Sequence, residues 1–81
     1  MEHHIILTDR QLATTIDRLH QTFQDVLVRL TRAGLPLLQE PEAIHQGDIL
    51  EISYLLDDGA PIKVFYCAIW LQKHLIWERS L

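Results

Sequence analysis

The sequence predicts a small α+β domain in which one long helix packs on a small antiparallel sheet. Three observations lead to this prediction: a capped helix pattern in the first half, two apolar and partly β-branched runs in the second half, and an Asp-Gly turn between those runs. The chain has 81 residues and a mass of 9.5 kDa, which suits a single domain over residues 1–81. The expected order is β-α-β-β with a short C-terminal element.

The composition excludes several classes of protein. The hydrophobic fraction is 48%, with three glycines and three prolines, so disordered and collagen-like chains are excluded. No apolar run approaches the roughly 20 residues that cross a bilayer, so we expect no membrane contact. The lone Cys67 cannot form an intramolecular disulfide and no signal-peptide pattern opens the sequence, which together indicate a cytoplasmic location.

The first half of the sequence predicts a strand followed by a helix. Residues 3–7 are short and partly β-branched, which favours a strand. Thr8 and Gln11 have the spacing of a capping box, and Gly34 is placed as a helix C-terminal cap. Between these signals apolar residues recur at intervals of four and three: Leu12, Ile16, Leu19, Phe23, Val26, Leu30 and Ala33. We therefore predict a helix over residues 9–33.

The stripe of apolar residues on this helix has two possible partners. Its spacing fits packing along a second helix, whereas its flanking apolar residues widen it towards the face used against a sheet. The sequence leaves open whether the stripe packs on the chain's own sheet or on another chain, and the width favours the sheet.

The second half of the sequence is typical of a β-hairpin. Residues 34–47 contain two of the three prolines and two of the three glycines, which predicts a connection. Residues 48–71 hold two apolar runs around the Asp-Gly pair. A loop of two or four residues there would place Ile52 opposite Phe65. Residues 72–81 fit the periods of both a helix and a strand, so their structure stays open.

That register leaves apolar side chains on both faces of the predicted sheet. The helix can cover one face, while the other is too apolar for a half-exposed antiparallel sheet. The residues after 71 offer little cover and carry apolar groups of their own, so we expect a second copy of the chain to bind there. The expected anchors of this contact are Val64, Tyr66, Trp70 and Trp77.

The net charge of −4 is unevenly distributed along the sequence. Residues 34–61 contain no base and six acids: Glu40, Glu42, Asp48, Glu51, Asp57 and Asp58. A negatively charged surface repels the phosphate backbones of nucleic acids and attracts basic protein surfaces. We expect four of these acids to orient a basic partner, namely Glu40, Glu42, Asp57 and Asp58.

No residue pattern points to an enzyme, a cofactor or a metal site. The five histidines lack the spacing of metal ligands, and the glycines are too far apart for a phosphate-binding loop. Cys67 lies inside a predicted strand, where a thiol is usually a small buried hydrophobe. The expectation is therefore a protein without catalytic residues, cofactors or metals.

Taken together, these features predict a non-catalytic protein–protein interaction module, a small adaptor or inhibitor. It would be homodimeric and would present its acidic surface to a basic partner. One alternative is a regulatory protein that binds nucleic acid through the predicted helix arginines Arg18, Arg29 and Arg32, although a pI of about 5.6 disfavours that partner. The other is a phage- or plasmid-type inhibitor that mimics nucleic-acid charge, which rests on size and charge alone.

Overall fold

The computed structural model describes residues 4–80, which form one helix and a six-stranded antiparallel sheet. The predicted α+β class is confirmed, with strands dominating. The elements are β1 (His4–Thr8), α1 (Asp9–Thr22), β2 (Gln24–Arg32), β3 (Leu35–Pro36), β4 (Ile49–Leu55), β5 (Pro61–Leu71) and β6 (His74–Ser80). The strand order is β1-β6-β5-β4-β2-β3. His3 and Leu81, which the sequence assigned to the first and last elements, lie outside the described residues.

The start of the helix forms as the sequence predicts. The Thr8 hydroxyl accepts a hydrogen bond from the backbone N–H of Gln11 at 3.1 Å, and the Gln11 side chain accepts one from the backbone N–H of Thr8 at 2.9 Å. Each bond satisfies a backbone donor that the helix itself leaves unpaired. Asp9 in the first turn also accepts a bond from Trp77 Nε1 at 3.0 Å, which ties α1 to β6.

The predicted extent of the helix over 9–33 is wrong, because α1 ends at Thr22 and the following residues form β2. Phe23 already has extended dihedral angles, with φ −121° and ψ 160°. Beyond it, Val26 and Val28 carry β-branched side chains that favour a strand. Pairing of β2 with β4 satisfies the backbone of this segment, and this tertiary contact outweighs the helical spacing of its apolar residues.

Gly34 has the positive φ that the sequence predicts, but it lies in a hairpin rather than at a helix end. Ala33 and Gly34, with φ of 52° and 80°, form the turn that joins β2 to β3. Two consecutive residues with positive φ are typical of a type I′ turn, which matches the twist of paired strands. The predicted connection over 34–47 therefore contains a short strand, and a loop over 37–47 follows it.

β4 and β5 form the predicted hairpin, but its predicted register is wrong by one residue. Ile52 lies opposite Val64, and Phe65 lies opposite Glu51. Because successive side chains of a strand point to opposite faces, this shift moves every side chain of β5 to the other face relative to β4.

The length of the hairpin loop explains the shift. The backbone N–H of Leu56 donates to the carbonyl of Ala60 at 2.9 Å, which leaves a three-residue loop over 57–59. Gly59 closes this loop with φ 85°, a conformation that glycine adopts without strain. A loop of two or four residues would give the register that the sequence predicted, whereas an odd number of loop residues shifts it by one.

The C-terminal segment, which the sequence left open, is a strand. Leu71 pairs with His74 across a tight turn in which Gln72 has φ 56°. β6 then pairs with β5 on one side and with β1 on the other. The segment therefore widens the sheet and does not fold over it.

The core lies between α1 and one face of the sheet, which we call the covered face. Its buried hydrophobic residues are Leu12, Ile52, Val64, Tyr66, Ala68 and Trp77. The apolar stripe of α1 continues into this core through Ile16 and Leu19, so the helix packs on the chain's own sheet. The 37–47 loop extends the cover through Ile44, which packs against the same cluster.

The helix cap gives a first prediction about stability. Thr8→Ala removes the side-chain acceptor at the start of α1, and we expect the free energy of unfolding to fall by about 1 kcal/mol. Urea denaturation followed by circular dichroism measures this change.

Thr14→Ala is the matched control in the same helix. Thr14 is exposed, and its hydroxyl donates to the Arg10 carbonyl at 3.1 Å, a contact that does not stabilise a helix interior. Alanine is the better helix former at such a position, so this variant should keep or slightly gain stability. Equal losses for the two variants would contradict the capping role.

Candidate functional site

The face of the sheet opposite α1, which we call the open face, is the first surface available to a partner. In β5 the side chains of Val64 and Tyr66 point into the core, so those of Phe65 and Cys67 point to the open face. The strand registers place apolar side chains there, among them Ile6, Ile49, Phe65, Cys67, Ile69 and Ile76. In the described part of the chain, α1 and the 37–47 loop both lie on the covered face.

Large apolar side chains on the open face are accessible to water. Ile6 is 57% exposed and Phe65 is 51% exposed. Leu27, on the same face of β2, is 68% exposed. The sequence did not single out these residues, although their alternation with the core residues of each strand would have identified them once the register was fixed.

Charged side chains divide the open face into two halves. On the side of β2 and β4, Glu51 lies 2.8 Å from Arg29 and 3.7 Å from Lys63, which gives this cluster a net positive charge. On the side of β1 and β6, the Glu78 carboxylate lies 2.7 Å from His4 Nδ1. The apolar side chains of β5 lie between these two groups.

Three of the four expected anchors lie in the chain's own core. Val64, Tyr66 and Trp77 are 8%, 4% and 2% exposed, so they have no surface to offer a partner. The shifted register is the cause for the two β5 residues, because it turns them towards α1. Trp70 is 39% exposed, and its Nε1 donates to the Ile44 carbonyl at 2.9 Å, which fixes the 37–47 loop.

A groove between β2 and the 37–47 loop is the second available surface. It encloses about 570 Å³. Its apolar lining consists of Val28, Leu30, Leu37, Leu38, Pro41, Ala43, Ile44 and Leu50. Glu40 and Glu42 also line it, and both side chains are exposed. The groove therefore combines an apolar floor with an acidic rim.

An ion pair between Arg32 and Asp48 holds the loop that forms this groove. Arg32 Nε and Nη2 donate to the two carboxylate oxygens of Asp48 at 2.9 and 2.8 Å. Arg32 Nη2 also donates to the Ala43 carbonyl at 3.0 Å, and the backbone N–H of His45 donates to Asp48 at 2.8 Å. These bonds fix both ends of the segment that follows Glu42.

The same contacts shift the titration of both partners. The hydrogen bonds from the Arg32 guanidinium lower the pKa of the Asp48 carboxyl below its usual value, and the backbone N–H of His45 acts in the same direction, while burial opposes them. The bond to Asp48 raises the pKa of Arg32. Asp48 is 1% exposed, so it remains a buried carboxylate whose charge is compensated by its partner.

The acidic residues do not form one continuous surface. Asp48 and Glu51 are engaged in ion pairs with arginines of β2. The four acids expected to meet a partner are exposed, but they line different cavities or loops: Glu40 and Glu42 lie at the groove, and Asp57 and Asp58 lie at the tip of the β4–β5 hairpin. The structure therefore brings these four acids together only in pairs.

The arginine stripe expected for nucleic-acid binding is not formed. Arg18 lies in α1, whereas Arg29 and Arg32 lie in β2. Arg29 points to the open face with Glu51, and Arg32 points to the other side towards Asp48. Both β2 arginines are paired with carboxylates, which reduces their attraction for phosphate groups.

Residues 4–80 contain neither a metal-binding cluster nor a membrane-spanning helix. No group of three histidine, cysteine or acidic side chains that could hold a metal ion occurs there. The described helix, with 14 residues, is too short to cross a membrane. Cys67 is a half-buried free thiol on the open face.

The Arg32–Asp48 pair gives a prediction about pH and stability. Asp48→Asn removes the charge that Arg32 binds, and we expect the free energy of unfolding at neutral pH to fall by about 2 kcal/mol. Because the pKa of Asp48 is lower in the folded state, its stabilising effect is complete above about pH 5 and is lost as pH falls through about 4 and below. The difference between wild type and variant should therefore shrink on acidification.

Denaturant unfolding at several pH values between about 2 and 7 measures this difference. Asp17→Asn, the same change on the exposed side of α1, is the control and should change stability little at any pH. A difference between wild type and Asp48→Asn that stays constant over this pH range would contradict the role of the ion pair.

Comparison of this chain with known protein families, with curated protein sequences and with solved structures finds no match. The open face and the groove are therefore the features of this chain that bear on its function.

Proposed function

We propose that this protein is a non-catalytic protein–protein interaction module that forms a homodimer through the open face and presents acidic side chains to a basic partner. The open face is the observation that carries this proposal. An antiparallel sheet with one face in water normally alternates apolar and polar side chains. Here β5 places Phe65, Cys67 and Ile69 in succession on the uncovered side. Contiguous exposed apolar groups of this kind mark interfaces.

The dimensions of the open face suit a contact between two sheets. β1, β6, β5, β4 and β2, spaced by about 4.8 Å and rising about 3.3 Å per residue, give a footprint of roughly 24 by 23 Å. This footprint of roughly 550 Å² is close to the lower end, about 600 Å² on each partner, of the area that stable interfaces bury. Two such sheets pack face to face with their strands about 30° apart.

The charges on the open face favour a second copy of the chain as the occupant. A two-fold axis close to the mean strand direction places β1 and β6 of one copy over β2 and β4 of the other. The net positive cluster around Glu51 then lies towards Glu78 of the second copy. Attraction between these groups would set the orientation, while the apolar side chains of β5 supply the contact energy.

The exposed acids support a basic protein partner rather than a nucleic acid. Glu40 and Glu42 lie at the groove and Asp57 and Asp58 at the hairpin tip, and each of these carboxylates repels phosphate and attracts lysine or arginine. A small module with one self-associating face and two separate pairs of exposed acids fits the role of an adaptor or an inhibitor.

Dimerisation is tested by Phe65→Glu. Wild-type protein should show twice the 9.5 kDa protomer mass in light scattering at high concentration, and the variant should show the protomer mass at the same concentration. A carboxylate buried between two sheets would lose its hydration and would lie directly opposite Glu51, which is why the dimer should dissociate. Because Phe65 is half exposed in the protomer, its replacement should leave the fold intact by circular dichroism.

Leu38→Glu is the matched control. It introduces the same charge in place of an apolar side chain that is 97% exposed and lies away from the open face. This variant should keep the dimer mass. A wild-type protein with the protomer mass at every concentration, or an equal effect of the two substitutions, would rule out the proposed interface.

A further inference from the structure

We infer that the groove between β2 and the 37–47 loop binds an extended segment of a partner protein that carries apolar and basic side chains and adds to the sheet as a strand beside β2. The inference rests on the proposed function for the claim that the acids meet a basic partner.

The outer edge of β2 offers free backbone groups to such a segment. β3 pairs with Thr31 and Arg32, and the backbone N–H of Leu37 donates to the Leu30 carbonyl at 2.8 Å. Because backbone groups alternate along a strand, the N–H and C=O of Val28 point to the same side as the Leu30 carbonyl, away from β4. Within residues 4–80 no strand pairs with this side of Val28. Exposed strand edges of this kind bind extended peptides through their backbones.

The groove lies where the added strand would place its side chains. A residue opposite Val28 points to the same face of the sheet as Val28, which is the covered face. The groove opens at this position and is lined by Val28, Leu30 and Leu50. Its volume of about 570 Å³ accommodates apolar side chains of the segment.

The rim of the groove selects for positive charge. Glu40 and Glu42 line the same cavity from the loop side, and both are exposed. Lysine or arginine side chains two residues away from the apolar residue of the segment lie on the same face and would reach these carboxylates. The Arg32–Asp48 pair fixes the loop before binding, so the segment would meet a preformed site and less ordering would oppose binding.

The regular edge of β2 also limits the length of the ligand. The pairing of β2 with β4 is interrupted between Gln24 and Leu27, where Asp25 has φ 57°. β3 occupies the edge from Thr31 onwards. The Leu30 carbonyl already accepts a bond from Leu37, so the free edge covers the residues between Asp25 and Leu30, and the site pairs with about four residues of an extended segment.

The test uses a capped synthetic peptide of about seven residues with three central valines and a lysine two residues on either side of the middle valine, so that both lysines point to the same face as that valine. Binding to the full chain is measured by calorimetry, and amide exchange is followed by NMR. We expect saturable binding that weakens with salt. The Val28 amide should exchange more slowly in the complex, whereas the Arg29 amide, which points to β4, should not change.

Two peptides and two double variants provide the controls. A peptide with glutamate in place of lysine, and one with N-methylated valines, should both fail to bind. Glu40→Lys combined with Glu42→Lys should weaken binding by about tenfold or more. Asp57→Lys combined with Asp58→Lys changes the net charge equally at the hairpin tip and should have a much smaller effect.

Several outcomes would overturn the inference. Equal weakening by the two double variants would mean that net charge, and not the groove, attracts the peptide. Binding without slower exchange at Val28 would exclude strand addition. Slower exchange at Val28 in the free protein as its concentration rises would show that a second copy occupies the edge.

The outcome of this test is separable from that for the dimer. A wild-type dimer that does not bind the peptide would overturn the inference and leave the dimer in place. A Phe65→Glu monomer that binds the peptide with unchanged affinity would support the groove independently of the open face.

Discussion

The register between β4 and β5 is the constraint on which the rest of the structure depends. Since side chains alternate between the faces of a strand, the register decides which complete set of β5 side chains meets α1. With a three-residue loop over 57–59, Ile52 lies beside Val64, and Tyr66 joins them under the helix. An even loop would bury Phe65 instead and leave Tyr66 in water. The loop therefore determines both the core and the composition of the open face.

Features that depend on neighbouring residues could be predicted from the sequence. The capping box at Thr8, the hairpin of β4 and β5 and the α+β class each follow from residues close together in the chain. The end of the helix could not be predicted in the same way, because residues 23–32 satisfy both a helical spacing and a strand composition. Val28 lies opposite Ile52. Only this pairing between segments far apart in the sequence makes the strand more favourable than the helix for these residues.

The candidate site was predictable to a smaller extent for the same reason. The sequence reveals how many acids it contains, but not which of them are neutralised. Arg32 and Asp48 are 16 residues apart and form two hydrogen bonds, so an apparently free carboxylate is part of the structural framework. Glu51 is likewise engaged by Arg29. Among the acids that remain exposed, Glu40 and Glu42 form a candidate binding site because they line the groove. The lining of the groove comes from β2, β4 and the 37–47 loop together.

The open face and the groove lie on different parts of the sheet, and this separation has a consequence for how the protein would act. The groove opens at the β2 edge on the covered side, so a dimer formed through the open face keeps it accessible. Such a dimer carries two identical grooves related by a two-fold axis. A partner with two suitable segments would be held by both grooves and would dissociate more slowly than from a single groove, provided its linker spans them. The dimer would thereby favour multivalent partners over single segments, which is the property expected of an adaptor.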